Sequence, residues 1–356
     1  MTQPPHLKTL TVPQGAAGGA APLATITWLH ERGGERCWPL APAHPTFAVG
    51  SGPGCAVQIE STYVSQLPCL IERRAGTRLR VRDNGSKNGT WFQDRREPEI
   101  ELRAGDSFQI GMTLLLAATD AMHEARDPLR YYLGYEKART TDDLLQWAVQ
   151  AEHVVLIGEP GSGQEAAARL AHAVSARRSQ PFVVLSDIPD GPAAMALAAR
   201  HAHSTIFLPL GTLPPLREAF VEALVAGGLD TRLYAACASD DQLKLKVSTT
   251  VQRALRPVNI PPPRTRGGEL RRMIDHAFAQ RQLGFHAHDL GDRNLDALEA
   301  GGWLENVDEL ELVVERAGAI LGAPSQRKAA ERLGISHTTL SRWLGQRGLA
   351  FPVGPR

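Results

Sequence analysis

Gly158, Glu159, Gly161, Ser162, Gly163, Gln164 and Glu165 have the spacing most suited to chemistry. In the run GEPGSGQE they follow an apolar stretch, HVVLI from His153, and precede EAAARLAHAV. Glycines between a strand and a helix let backbone amides approach phosphate, at the end of a helix whose dipole favours an anion. A working loop of this kind places lysine after its last glycine, to meet the β and γ phosphates. Position 164 holds glutamine instead. An amide can donate hydrogen bonds but cannot offset triphosphate charge as an ammonium does. The expectation is therefore a degenerate nucleotide loop with no catalytic residue and no cofactor, at most retaining ATP or ADP through its amides.

A second constellation lies in Ser325 to Leu349, SQRKAAERLGISHTTLSRWLGQRGL. Ala329, Ala330 and Leu333 fall on one helical face, Gly334 and Ile335 suit a turn, and Ser336 can cap a second helix that returns Leu340 and Leu344 to the same core. From Ser325 onward there are six cations (Arg327, Lys328, Arg332, Arg342, Arg347 and Arg356) against one anion, Glu331. Such local charge is where nucleic-acid phosphates would lie. A solvated helical hairpin has the same pattern without binding DNA.

The elements that position these groups divide the chain. Residues 22–118 read as short alternating runs between Gly and Asn turns, an all-β sandwich. Residues 119–130, TDAMHEARDPLR, show no apolar periodicity and are expected to be a linker. From 131 to 317, strands such as FVVL at Phe182 and TIFL at Thr205 alternate with Ala-rich helices, a parallel α/β sheet. Residues 318–350 complete the chain as a small all-α helix-turn-helix. At 356 residues and 43% hydrophobic content, several cores of ordinary size can form. Lys and Arg total 39 against 38 Asp and Glu, so only the local charge of the C-terminal segment speaks for nucleic acid. No stretch has the apolar length of a membrane span, and the start lacks a signal core, so a cytoplasmic protein without a membrane partner is expected. Cys37, Cys55, Cys69 and Cys237 form no CxxC pair, and the histidines have no HExxH spacing. Sequence spacing thus predicts no metal site.

The β segment carries RVRDNGSKNGT from Arg80 to Thr90 and LRAGDSFQIG from Leu102 to Gly111, with TFAVG and STYVS ahead of them. In this order the segment resembles a forkhead-associated domain, a sandwich whose apical loops bind phosphothreonine peptides. The resemblance implies that Ser65 and Lys87 reach phosphate and that Asn88 holds peptide backbone. The family's loop arginine is here Ser51, and its buttressing histidine is Pro68, with Gln66 in place of a common arginine. Without the arginine fork, phosphate affinity should be weak. The domain thus either reads a phosphothreonine protein or kinase, or serves as an interaction or structural module.

The central segment resembles the sigma-54 activator type of AAA+ ATPase from LGYEKA at Leu133 to the end of ENVDELELVVERA at Ala317. GEPGSGQE, STIFLPLG at Ser204, IPPPRTR at Ile260 and WLENVDEL at Trp303 follow one another as the family motifs GExGxGKE, GTLFLDEI, LPPLRER and WPGNVREL do. Departures fall on the chemistry: Gln164 for lysine, Pro209 and Leu210 for two carboxylates, Asp308 for the sensor arginine. The GAFTGA loop that contacts sigma-54 is missing. The C-terminal segment resembles the Fis-type DNA-binding domain of the same regulators. That resemblance places Ser336, His337, Thr338, Thr339, Ser341 and Arg342 at or near the groove of double-stranded DNA, and Arg327, Lys328 and Arg347 at phosphates. Trp343 stands where the family often has a basic residue. The combined expectation is a DNA-binding regulator, a homodimer with a forkhead-associated sensor and an inactive ATPase scaffold. The alternative is a phosphoprotein scaffold with vestigial DNA binding.

Overall fold

The computed structural model describes residues 25–74, 77–189, 191–212 and 218–351. The N-terminal strands are β1 (Trp28–Glu31), β2 (Cys37–Pro39), β3 (Thr46–Gly50), β4 (Val57–Gln58), β5 (Cys69–Arg73), β6 (Leu79–Asp83), β7 (Thr90–Phe92), β8 (Arg95–Arg96), β9 (Glu99–Leu102), β10 (Ser107–Ile110) and β11 (Thr113–Ala118). They form two sheets, ordered β2-β1-β11-β10-β7-β8 and β4-β3-β5-β6-β9. Strict alternation decides which face of each strand is buried. In β9, Ile100 and Leu102 are buried while Glu99 and Glu101 stay outside, where Glu99 meets Arg80 of β6. Val49, Ile71, Val81, Leu102, Phe108 and Leu115 close the sandwich interior.

The central sheet contains β12 (His153–Ile157), β13 (Phe182–Val184), β14 (Thr205–Pro209), β15 (Arg232–Cys237) and β16 (Leu255–Asn259), in the order β13-β14-β15-β12-β16. All neighbouring pairs run parallel. Every residue of β15 is buried, as expected where helices cover both faces of a parallel sheet. The helices are α1 (Asp120–Leu133), α2 (Ala138–Val149), α3 (Gln164–Val174), α4 (Pro192–Arg200), α5 (Glu218–Val225), α6 (Asp240–Lys246), α7 (Thr249–Ala254), α8 (Leu270–Gln280), α9 (Asp292–Glu299), α10 (Asn306–Leu321), α11 (Gln326–Arg332) and α12 (His337–Gln346). One apolar core, with Val155, Ile206, Leu208 and Leu233, lies on one sheet face. The other runs without interruption from Val154, Leu156 and Tyr234 through Leu310 and Val314 to Leu340, Leu344 and Phe351. Among the described residues no helix is long and apolar enough to cross a membrane.

Two expected boundaries differ. Residues 119–130 are not an irregular linker: Thr119 caps α1 by accepting from Met122 N at 3.2 Å, and Met122, Ala125 and Leu129 are buried. The segment's two arginines are paired. Arg126 gives Asp142 two bonds of 2.9 and 3.1 Å, and Arg130 forks onto Glu35 of the sandwich. Gly33 N donates to the same Asp142 at 2.9 Å. Breaking so buried an ion pair costs about 3 to 5 kcal/mol, comparable to the roughly 3 kcal/mol that Pro128 costs mid-helix. The boundary at 317 also disappears, because α10 continues to Leu321 with Val313, Ala317 and Ile320 buried on one side. The helical hairpin is packed on the central domain and shares its core.

Candidate functional site

The glycine-rich loop connects β12 to α3 as expected. Gly163, at φ +88°, begins the helix. A Cβ there would lie 2.2 Å from the Tyr132 ring, so this position tolerates only glycine on both backbone and steric grounds. Gln164 turns inward: its Nε2 donates to the carbonyls of Leu156, Gly158 and Cys237 at 3.2, 3.0 and 3.0 Å. The amide thus ties β12 to β15 beneath the loop and is unavailable to a phosphate.

The loop is also braced from outside. Val307 N and Asp308 N donate to Gly161 O at 2.9 and 3.2 Å, and Asn306 Nδ2 donates to Pro160 O at 2.9 Å. Glu159 pairs with Arg264, Glu165 with Arg169, and Ser162 is fully buried. Asp308 stands beside the loop, its carboxyl pushed up to about 6 by burial and then by Glu311 and Glu305. Pro209 ends β14, while Leu210 is buried in the apolar core with its N–H on Ala236 O. Loop and Asp308 therefore meet as the resemblance implied, beside a Gln164 whose amide nitrogen is bound to carbonyls. Asn306 lies within WLENVDEL, at the asparagine of the motif WPGNVREL, whereas Tyr132 belongs to no local pattern and only packing brings it to the loop.

At the apical end of the sandwich, Ser51 Oγ donates to Val64 O at 2.9 Å, and Ser51 N to Ser65 O at 3.0 Å. Asn88 Nδ2 donates to Tyr63 O at 2.7 Å, so the loop between β6 and β7 is bound to the loop between β4 and β5. Asp83 organises the DNGSKNGT turn by accepting from Ser86 Oγ at 2.6 Å and Thr90 Oγ1 at 2.9 Å. Burial pushes its carboxyl up, but these bonds outweigh it and hold the group below the usual range. Ser51 and Asn88 are thus both bonded to the backbone at Tyr63, Val64 and Ser65, and Lys87 beside Asn88 is exposed. A phosphate there would meet one ammonium and small hydroxyls.

In the C-terminal hairpin, Ser325 Oγ accepts from Lys328 N and Ser336 Oγ from Thr339 N, so both caps form. Gly334 takes the turn between the helices at φ +66°. Leu340, Trp343 and Leu344 are buried, whereas His337, Thr338, Thr339, Ser341 and Arg342 share the open surface of α12. The Ser336 hydroxyl is spent on the cap and pairs with Thr339 Oγ1 at 2.8 Å. Arg327 and Lys328 are exposed, Lys328 beside Glu331 at 2.8 Å. Arg347 differs from expectation. Its Nη2 lies 2.5 Å from Glu309 Oε1 of α10, and its guanidinium covers the Trp343 ring at 5.0 Å. A guanidinium so engaged fastens the hairpin to the central domain and does not project towards phosphates. Arg356 lies outside the described residues.

A β-sandwich followed by a parallel α/β domain with a glycine-rich loop is thus the class that fold and site define. Residues 47–111 match the FHA domain, and residues 135–196 match the Sigma-54 interaction domain. The two matches follow one another along the chain, the first on the sandwich and the second on the start of the α/β domain. It is 30% identical over 218 residues to the C4-dicarboxylate transport transcriptional regulatory protein DctD of Pseudomonas aeruginosa, covering 49% of this chain and 46% of that one. It is 28% identical over 220 residues to the phenol regulator MopR of Acinetobacter guillouiae, covering 50% and 39%. The chain spans less than half the length of these relatives. Among solved structures, NtrX from Brucella abortus in complex with ATP aligns at 17% identity and TM-score 0.42, over 63% of this chain and 68% of that one.

Proposed function

We propose that the chain is a bacterial, cytoplasmic DNA-binding transcription regulator whose ATPase domain has become an inactive scaffold. The observation that carries this reading is α12, which keeps Leu340, Trp343 and Leu344 inside and offers Thr338, Ser341 and Arg342 outward from a capped start. Polar side chains along the leading turns of a second helix are what major-groove readout requires. The regulator names of the relatives point the same way. The carbonyl-bound Gln164, the buried Leu210 and the acidic Asp308 favour a domain that supplies shape and not hydrolysis. The FHA domain then docks a phosphothreonine protein weakly, and a homodimer reads a near-palindromic site.

The test is fluorescence anisotropy of the full chain on duplexes recovered from genomic DNA by binding selection. Arg342→Ala should cost about 1 to 3 kcal/mol on the preferred site and relax preference at one base pair. Binding of equal strength to selected and scrambled duplexes would instead favour the phosphoprotein scaffold.

A further inference from the structure

The hairpin of β1 and β2 pairs His30 directly with Cys37, so both side chains leave the same face of the ribbon. Trp28, two residues before His30, shares that face. Its indole stacks on the imidazole of His123 from α1, with ring centroids 3.5 Å apart and planes within 6°. Held in this way, His123 Nδ1 lies 3.1 Å from His30 Nε2. Ligand-capable atoms of His30, Cys37 and His123 all fall within 4.8 Å of one another. Two nitrogens bound at about 2.1 Å to a tetrahedral ion would sit roughly 3.4 Å apart, close to the spacing already present.

We propose that His30, Cys37 and His123 form a binding site for a zinc-class divalent metal that staples the FHA sandwich to α1. Two imidazoles and one thiolate suit a borderline-soft ion, whereas calcium and magnesium require oxygen donors. Cys37 and His123 are only half-buried, so a water can reach the fourth position. Binding releases the Cys37 thiol proton to solvent and leaves each imidazole neutral, its proton on the nitrogen remote from the ion.

Arg126, whose Nη1 lies 3.0 Å from Cys37 Sγ, and Arg130 are the groups that could oppose a cation. The charge of Arg126 is balanced by its two bonds to Asp142 and that of Arg130 by its fork onto Glu35, and an N–H aimed at sulfur is the outer-shell support that metal thiolates receive. Two ligands come from the hairpin and the third from the helix that leads into the central domain. Occupancy therefore crosslinks the two domains.

Cobalt titration of the tag-free full chain, stripped with chelator and kept reduced, tests this. One equivalent of Co²⁺ should produce the visible bands of a tetrahedral ion and a thiolate charge-transfer band in the near ultraviolet, both erased by Zn²⁺. Cys37→Ser and His123→Ala, each confirmed folded by circular dichroism, should lose stoichiometric binding and the charge-transfer band, while Cys55→Ser retains both. Absence of stoichiometric Co²⁺ binding by the wild-type chain overturns the proposal. So do bands that persist in both the Cys37 and His123 variants.

Discussion

Arg347→Ala separates a residue that reads DNA from one that holds the reader in place. The side chain is about three-quarters buried, bonded to Glu309 at 2.5 Å and laid over the Trp343 ring at 5.0 Å, a ring that Arg316 also covers at 4.7 Å. A partly shielded ion pair contributes about 1 kcal/mol, and a guanidinium over an indole about 0.5 to 1 kcal/mol. Their loss, about 1 to 2 kcal/mol, lowers Tm by roughly 2 to 8 °C at the size of the central domain with its hairpin. Glu309→Gln should reproduce most of that change, and the double variant should add little. DNA binding by anisotropy, well below Tm and across a salt series, should keep its slope in Arg347→Ala. Lys328→Ala, which removes an exposed cation, should reduce the slope by about one. An unchanged Tm together with a slope lowered by about one in Arg347→Ala would refute the structural role and return the residue to the phosphate backbone.

Phosphate release assays with Mg-ATP should show no hydrolysis above background, and Gln164→Lys should not restore it, because Pro209 and Leu210 supply no carboxylate; turnover in that variant would show the metal site to lie elsewhere. Ser51→Arg should tighten phosphothreonine-peptide binding by about 1 to 3 kcal/mol through a charge-assisted fork, read by calorimetry, and an unchanged affinity would place the phosphate outside these loops. Asp308 has a carboxyl raised from 3.8 to about 6 in the folded protein. The folded state therefore holds this proton more tightly than the unfolded chain, and stability is lost as pH rises from about 4 through 6. Asp308→Asn should raise Tm relative to wild type above pH 6 and leave it nearly unchanged at pH 4; a gain confined to acid pH would contradict that sign.

Local periodicity and turn chemistry were enough to determine the elements around the sites. Alternation in LRVRD and EIEL, the glycines of GEPGSGQE, and the caps Ser325 and Ser336 each act over a few residues, so the sandwich, the loop and the helical hairpin were legible in sequence. Gln164 could be recognised as the wrong residue for triphosphate, but its three carbonyl partners could not, since Cys237 is brought to it only by the pairing of β12 with β15. The segment 119–130 shows no apolar periodicity and so reads as a linker; Asp142 and Glu35, outside the segment, allow its arginines to be buried. The Fis-type resemblance puts Arg347 at phosphate, whereas Glu309, 38 residues earlier, captures it. His30, Cys37 and His123 have no motif spacing, and strand register together with helix packing alone brings them into one cluster. Short-range sterics and hydrogen bonding write themselves into neighbouring residues. Charge pairing, desolvation and ligand convergence depend on which distant backbones the core brings together.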